Sequence, residues 1–297
     1  MMDYFNIKNQ RIRGINKFKD KVFTYSLWFF SILIVLFILA ILFRIISKGL
    51  FDINLKFLLG LPSEIDAGGG IGPFLLNSFY VLIISLIISL PIGIGSGIYL
   101  AEFAPKNRLT EFIRTSVESL ASVPSIVFGL FGYVLFVDVF HIGLTILGAG
   151  VSLSLLNLPL ITRVTENAIS TVPRELKEAA LSLGLTESKT ITSIVLPAAL
   201  SGIMTGVSLA ACRAFGESAI ILLVGGTSSS GEMWDFSLLS QGGTLPVHLW
   251  YIQSEALVED AKQIADKSAA VLMLIVLLMS VTFRIPVWLL DRKQRKR

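Results

Sequence analysis

The chain has 297 residues, 54% of them hydrophobic and only 15% charged, which is too apolar for an ordinary soluble domain of that length and makes a bilayer its expected solvent. The formal net charge of +4 gives no support to nucleic-acid binding, because in such a chain the placement of Lys and Arg matters more than their number. Cys212 is the single cysteine and His141 and His248 the only histidines, so neither a disulfide framework nor a metal-ligand cluster is expected. The run "GGGIG" at residues 68–72 is followed by Pro73 rather than by Lys and a hydroxyl, so no P-loop for ATP is present.

A bilayer core about 30 Å thick needs about 20 apolar helical residues, and six stretches meet that need: residues 23–43, 74–100, 119–137, 142–162, 198–224 and 268–290. A basic tail, residues 1–22, precedes the first. The apolar run that follows is too long for a signal peptide and lacks a small-residue cleavage site, which predicts an uncleaved span. The membrane domain is expected over residues 23–290, with a second basic tail over 291–297. Eighteen Lys and Arg residues fall in the tails and in the second and fourth connections, against five (Arg44, Lys48, Lys56, Lys262, Lys267) in the alternating ones. That bias predicts two cytoplasmic termini. The long connections 44–73 and 225–267 then face outward and hold acids such as Asp52, Glu64, Asp66, Glu255, Glu259 and Asp260. Trp234, Trp250 and Tyr251 in the second of these fit either a lipid interface or docking of an external partner.

In the second span Ser78, Ser85, Ser89 and Ser96 line one helical face, allowing for a bend at Pro91; close helix packing and a place in a pathway both suit small polar residues. In the fifth span Gly202, Gly206, Leu209, Arg213, Gly216 and Glu217 fall within about one-third of the helical circumference. A charge at the centre of a membrane helix costs roughly 2.5–3.5 kcal/mol on insertion scales and is tolerated against protein or a cavity. One reading of Arg213 and Glu217 is an i,i+4 ion pair that neutralises itself, although Arg before Glu is the weaker order. The other is a role in moving a charged solute. A guanidinium fork matches tetrahedral oxyanions such as phosphate or sulfate, which makes Arg213 and Glu217 the candidate substrate-pathway residues.

Between the fourth and fifth spans, over about residues 163–197, Pro173 opens a helix that runs to Leu183 and ends at Gly184. A second short helix is expected over 187–195, stopping at Pro197. Such a cytoplasmic knob suits force transmission from a soluble partner, and an ordinary amphipathic connection obeys the same local rules. Its residues Glu178-Ala179-Ala180, Gly184, Ile194 and Leu196-Pro197 resemble, in spacing and topological position, the EAA signature of the membrane subunits of bacterial and archaeal ATP-binding-cassette importers. The likeness narrows to phosphate-uptake permeases of the PstA type. "GGIGPFLLNSFYVLIISLIISLPIGIGSGIYLAEFAP", "ESLASVPSIVFGLFGYVLFV" and "LNLPLITRVTENAISTVPRELKEAALSLG" are similar to successive blocks of that family. "CRAFGESAIILLVGG" is similar to its R-A-x-G-E-[ST]-A block, with Ser218 where Thr is commoner and Ile220 where Pro is commoner.

The resemblance implies an all-α, multi-pass protein of the prokaryotic inner membrane with six spans in the type I importer (MetI-like) permease fold. It implies a non-catalytic subunit for inorganic phosphate, whose Glu178, Ala179, Ala180, Gly184, Ile194, Leu196 and Pro197 form the coupling loop seated in a cleft of the ATPase. ATP and Mg would bind on the ATPase, with no cofactor in this chain. The implied partners are a PstC-type permease, two ATPase copies and an external phosphate-binding protein. Other oxyanions (sulfate, molybdate, phosphonate) remain alternatives, as does a proton-coupled carrier with Glu217 as relay, although the repeats across two halves common in such carriers are not seen.

Overall fold

A computed structural model describes residues 2–63, 67–255 and 258–294. Glu64, Asp66, Arg295, Lys296 and Arg297, which enter the charge bias, lie outside these residues. The chain divides into two compact units, Met1–Phe51 and Asp52–Arg297.

The first unit is one helix, α1 (Met2–Gly49), which contains the expected first span. From Lys19 to Phe43 the sequence has no glycine or proline to interrupt it. Thr24 and Ser31 donate their hydroxyls back to the Asp20 and Leu27 carbonyls at 2.7 and 2.8 Å, which satisfies those groups without an external partner. Phe23, Trp28 and Phe37 are all exposed.

The second unit opens with the short α2 (Leu55–Leu59), capped by the Asn54 side chain. Next is α3 (Gly72–Ile98), with Pro73 in its first turn, extended by a π-helical turn over Tyr99–Phe103. The span expected over 119–137 is not one straight helix. It divides into α4 (Arg108–Ala121) and α5 (Ser125–Tyr133), the latter running on through a π turn (Val134–Val139), and the two segments meet at 93°. Pro124 causes the break: its ring disfavours the α conformation at Val123, and Pro124 itself sits at ψ 139°.

The fourth span is α6 (Ile146–Ser170), begun by the Thr145 side chain accepting the Gly148 N–H at 3.1 Å. The knob expected between the fourth and fifth spans comprises α7 (Arg174–Ser182) and α8 (Glu187–Thr190). Contrary to expectation, α8 does not stop before Pro197. It passes through a π turn (Ile191–Val195) into α9 (Leu196–Phe215), giving a continuous helix from Glu187 to Phe215. The wider turn precedes the position where proline has no N–H to give the helical ladder. The span expected over 198–224 is also divided, because α9 ends at Phe215 and α10 (Ala219–Val224) begins after Gly216-Glu217-Ser218. Two helices complete the unit, α11 (Leu245–Ser254) and α12 (Ala261–Gln294).

At the centre lies α6, two-thirds buried over its most apolar stretch (67%). Its Ala149, Leu153 and Leu156 meet Val81 and Leu82 of α3 and Ala211, Phe215, Ile220 and Val224 of the α9–α10 region in one core. Lipid tails are as apolar as leucine, so close fit rather than expulsion of water has to hold these helices together. Glycines supply that fit. A Cβ on Gly97 would lie 2.5 Å from the Thr165 Cβ, and one on Gly206 only 1.8 Å from a Val164 methyl. The serine stripe of α3 faces inward: Ser78, Ser85 and Ser89 are buried, and Ser85 accepts a hydrogen bond from the Asn157 amide of α6 at 3.0 Å.

Candidate functional site

The position of Arg213 follows from the packing of α9 on α6. Gly202 approaches Ala168 and Gly206 approaches Val164, so the helices run antiparallel and the sum of facing residue numbers stays constant. Seven residues further, about 10 Å along α9, that register places Arg213 level with Asn157, midway along α6. Gly202, Thr205, Leu209, Arg213 and Gly216 form the exposed side of α9, while Ile203, Gly206, Ala210, Ala211 and Ala214 are buried. The six-residue face expected from the sequence is thus split. Gly206 belongs to the contact with α6, whereas Leu209, Arg213 and Gly216 look out from the chain.

Glu217 is not where a continuous helix would put it. The helix ends with the Gly216 and Glu217 N–H groups donating to the Arg213 and Ala214 carbonyls, and the Glu217 carboxylate turns forward to accept the Ala219 N–H at 3.0 Å. Among the described residues no ion pair joins Arg213 to Glu217. The i,i+4 arrangement depended on one more helical turn, which Gly216 and Ser218 do not provide. What results is an exposed guanidinium beside a break in the helix, with one short polar loop crossing the span.

A separate groove lies elsewhere. A cavity of about 900 Å³ between α3, α4, α5 and α6 is walled by groups such as Ile92, Val117, Phe131, Leu155 and Leu158. At 100° per residue, Leu155 lies on the side of α6 opposite Val164. The cavity lining has no Lys or Arg and is mainly apolar, with Ser96, Tyr99 and Thr162 as its hydroxyl-bearing side chains.

The knob residues are also set by local chemistry. Pro173 starts α7, whose C-terminus closes with the Gly184 N–H on the Leu181 carbonyl and the Leu185 N–H on the Ala180 carbonyl. This paired closure requires a left-handed residue, and Gly184 supplies it at φ 81°. Glu178, Ala179 and Gly184 are exposed, Ala180 is buried, and Ile194 and Leu196 are half-buried beside the exposed Pro197. Leu183 is 84% exposed, leaving an apolar tip without cover on this chain. Behind the knob, Val172, Val195, Ala199 and Ile203 pack with Ile94 and Ile98 of α3.

Charged groups that the sequence alone did not single out lie between the knob and the spans. Lys177 of α7 pairs with Glu102 in the π turn that ends α3. Arg114 of α4 binds Glu166 of α6 at 2.6 Å and the Leu100 carbonyl at 2.7 Å, and Arg163 of α6 meets Glu118 of α4 at 2.9 Å. Partners so far apart in sequence leave no periodic signal. Part of the arrangement is nevertheless legible in retrospect. In the π turn the Ala104 N–H reaches back five residues to Tyr99, and the next donor in that register would be Pro105, which has none. The Leu100 carbonyl is therefore left for a side chain, and Arg114 takes it.

At the end of α3 away from the knob, Ser78 accepts the Leu245 N–H at 2.9 Å and the Asn77 amide binds the Gly243 carbonyl at 3.1 Å. His248 of α11 stacks on Phe74 at 4.0 Å, and burial pushes its pKa down to about 4. Trp234 and Phe236 remain exposed on the loop before α11.

Bundled apolar helices with a knob between the fourth and fifth spans are the architecture of a permease subunit of an ATP-binding-cassette importer. The chain belongs to the binding-protein-dependent transport system inner membrane component family, which matches residues 90–296. It is 38% identical over 278 residues to the probable ABC transporter permease protein YqgI of Bacillus subtilis (strain 168), covering 90% of this chain and 95% of that one. To the phosphate transport system permease protein PstA of Yersinia pestis it is 35% identical over 246 residues, 82% of each chain. The fold is shared with the MetNI methionine ABC transporter (TM-score 0.57, 22% identity, 74% of this chain and 94% of that one). It is shared too with a bacterial ABC transporter that imports the acidic polysaccharide alginate (TM-score 0.61, 14% identity, 93% and 98%). The chain is therefore a multi-pass membrane permease subunit with the type I importer fold expected from its EAA motif.

Proposed function

We propose that this subunit forms half of the translocation pathway of an ATP-driven importer of inorganic phosphate. Its other half would be a PstC-type permease, with two ATPase copies hydrolysing Mg-bound ATP in the cytoplasm and a phosphate-binding protein delivering the anion outside. Both termini would be cytoplasmic, following the Lys and Arg bias. The observation that carries the reading is Arg213, a guanidinium at mid-span on the exposed side of α9 with no ion-pair partner among the described residues. Facing the partner permease, it would supply favourable potential for an anion crossing a region of low dielectric. Its planar fork suits a tetrahedral oxyanion, and the similarity to PstA favours phosphate among oxyanions. Glu217 would hold the short loop across the pathway open by capping α10, and its negative charge would keep phosphate from being trapped, since conduction needs easy release. Glu178 through Pro197 would seat on the ATPase. Labelled phosphate uptake in cells carrying or lacking this chain, with competing anions, tests the assignment. Uptake that depends on the chain and is displaced by phosphate but not by sulfate, molybdate or phosphonate is expected. Displacement by one of those anions in preference to phosphate would move the assignment to that anion.

A further inference from the structure

The inner end of α3 receives two cations from two different elements. Glu102 and Leu100, both within the π turn Tyr99–Phe103, take Lys177 of α7 and Arg114 of α4 respectively, and Arg114 also holds Glu166 of α6. The carboxylates are well shielded, Glu102 being 11% and Glu166 10% exposed at the side chain. One residue before Glu166, Thr165 lies against Gly97, and two before, Val164 lies against Gly206 of α9. A displacement of α7 thus has a polar route into α3 and α6, and a close-packed route from α6 to the helix bearing Arg213. The π turn suits this use, since it leaves a backbone carbonyl available to a side chain that an α-helical ending would have reached with its own amides.

We propose that the Glu102–Lys177 pair is the joint through which movement of the knob is passed to the inner end of α3, with Arg114 extending it to α6. Glu102, Lys177 and Arg114 are positioning residues, outside the anion path and outside the surface that meets the ATPase. The proposal rests on the reading of α7 and α8 as the coupling loop. An apolar anchor also moors the knob, through Val172 and Val195, so loss of the pair is expected to loosen the joint without detaching the knob.

The test uses the full complex in vesicles, with this chain as wild type, as Glu102→Gln, and as the charge swap Glu102→Lys with Lys177→Glu. ATP hydrolysis is measured with and without phosphate-loaded binding protein. Glu102→Gln is expected to leave the basal rate unchanged and to cut the stimulation about tenfold, within the range of ordinary coupling between sites. The swap is expected to restore stimulation to within about threefold of wild type. In parallel, spin labels at Leu183 and Phe103 report whether knob and span move together. The distance between them should be insensitive to ATP in wild type and become ATP-dependent in Glu102→Gln. Unaltered stimulation in Glu102→Gln, a swap no better than the single variant, or a wild-type label distance that already changes with ATP would each overturn the joint. So would basal and stimulated rates falling by one common factor, because the pair would then serve assembly alone. A wild-type complex whose labels move together but which carries no phosphate would instead refute the proposed substrate and leave the joint standing.

Discussion

The contact between Gly206 and Val164 fixes the register on which the position of Arg213 depends, and Gly206→Ala tests it. The added Cβ would lie 1.8 Å from one Val164 methyl, 2.8 Å from its Cβ and 3.1 Å from the other methyl, where carbon atoms normally sit about 3.5–4.0 Å apart. Val164 has little freedom to yield, because a β-branched residue in a helix strongly prefers one rotamer. The helices must separate or Val164 must leave its rotamer, and overpacking of this kind costs about 1–3 kcal/mol. The upper part of that range is expected, since three atoms are too close at once. Val164→Ala alone should cost about 1 kcal/mol. The double variant should be clearly less unstable than the sum of the two, though not fully restored, because the 2.8 Å approach to the Val164 Cβ remains. Cys212, half-buried and the only cysteine, provides the assay: a thiol-reactive fluorophore follows its exposure on heating the detergent-solubilised chain. Gly206→Ala with the thermal midpoint of wild type, or strict additivity with Val164→Ala, would refute the packing and the level assigned to Arg213.

Gly184→Leu places a side chain at φ 81° with open space around it, so the cost is backbone strain of about 1–2 kcal/mol; the turn should shift, and ATPase capture and uptake fall together while the spans still assemble. Gly184→Asn, which tolerates that conformation, should retain both, and equal loss in the two variants would count against the turn as the cause. His248 predicts a pH effect. Its pKa, lowered by burial from 6.5 to about 4, lets the unfolded chain bind a proton the folded chain does not, so stability is full above about pH 6.5 and falls as the pH drops toward 4. By pH 5 the loss is about 2 kcal/mol. His248→Phe should remove that part of the pH dependence of the thermal midpoint, and an unchanged dependence would contradict the assigned burial.

The helical spans were legible because their apolar runs have the length a bilayer demands, and Gly184 marked the turn that closes α7. The breaks were less legible. Hydropathy stays high through "SLASVPSIVFGL", which masked the corner at Pro124 although the proline was in view. Pro197 looked like a stop, yet a π turn before it carries the helix through. The Arg213–Glu217 ion pair, one of the two readings of that spacing, needed a helix that continues to Glu217, whereas α9 ends at Phe215. The joint at Glu102 and Lys177 spans 75 residues of sequence and becomes visible only when α3 and α7 are brought together. Patterns within one helix could be read, whereas partnerships between helices needed the fold.

Arg213 is where the account is most exposed to test. Uptake of labelled phosphate into vesicles bearing the whole complex, at equal membrane abundance, should be abolished by Arg213→Gln and only weakly restored by Arg213→Lys, which keeps the charge but loses the planar fork. Because the Glu217 carboxylate binds the Ala219 N–H rather than the guanidinium, adding Glu217→Gln to Arg213→Gln should recover nothing. Near-normal uptake by Arg213→Gln, or by the double variant, would contradict a pathway role for this arginine.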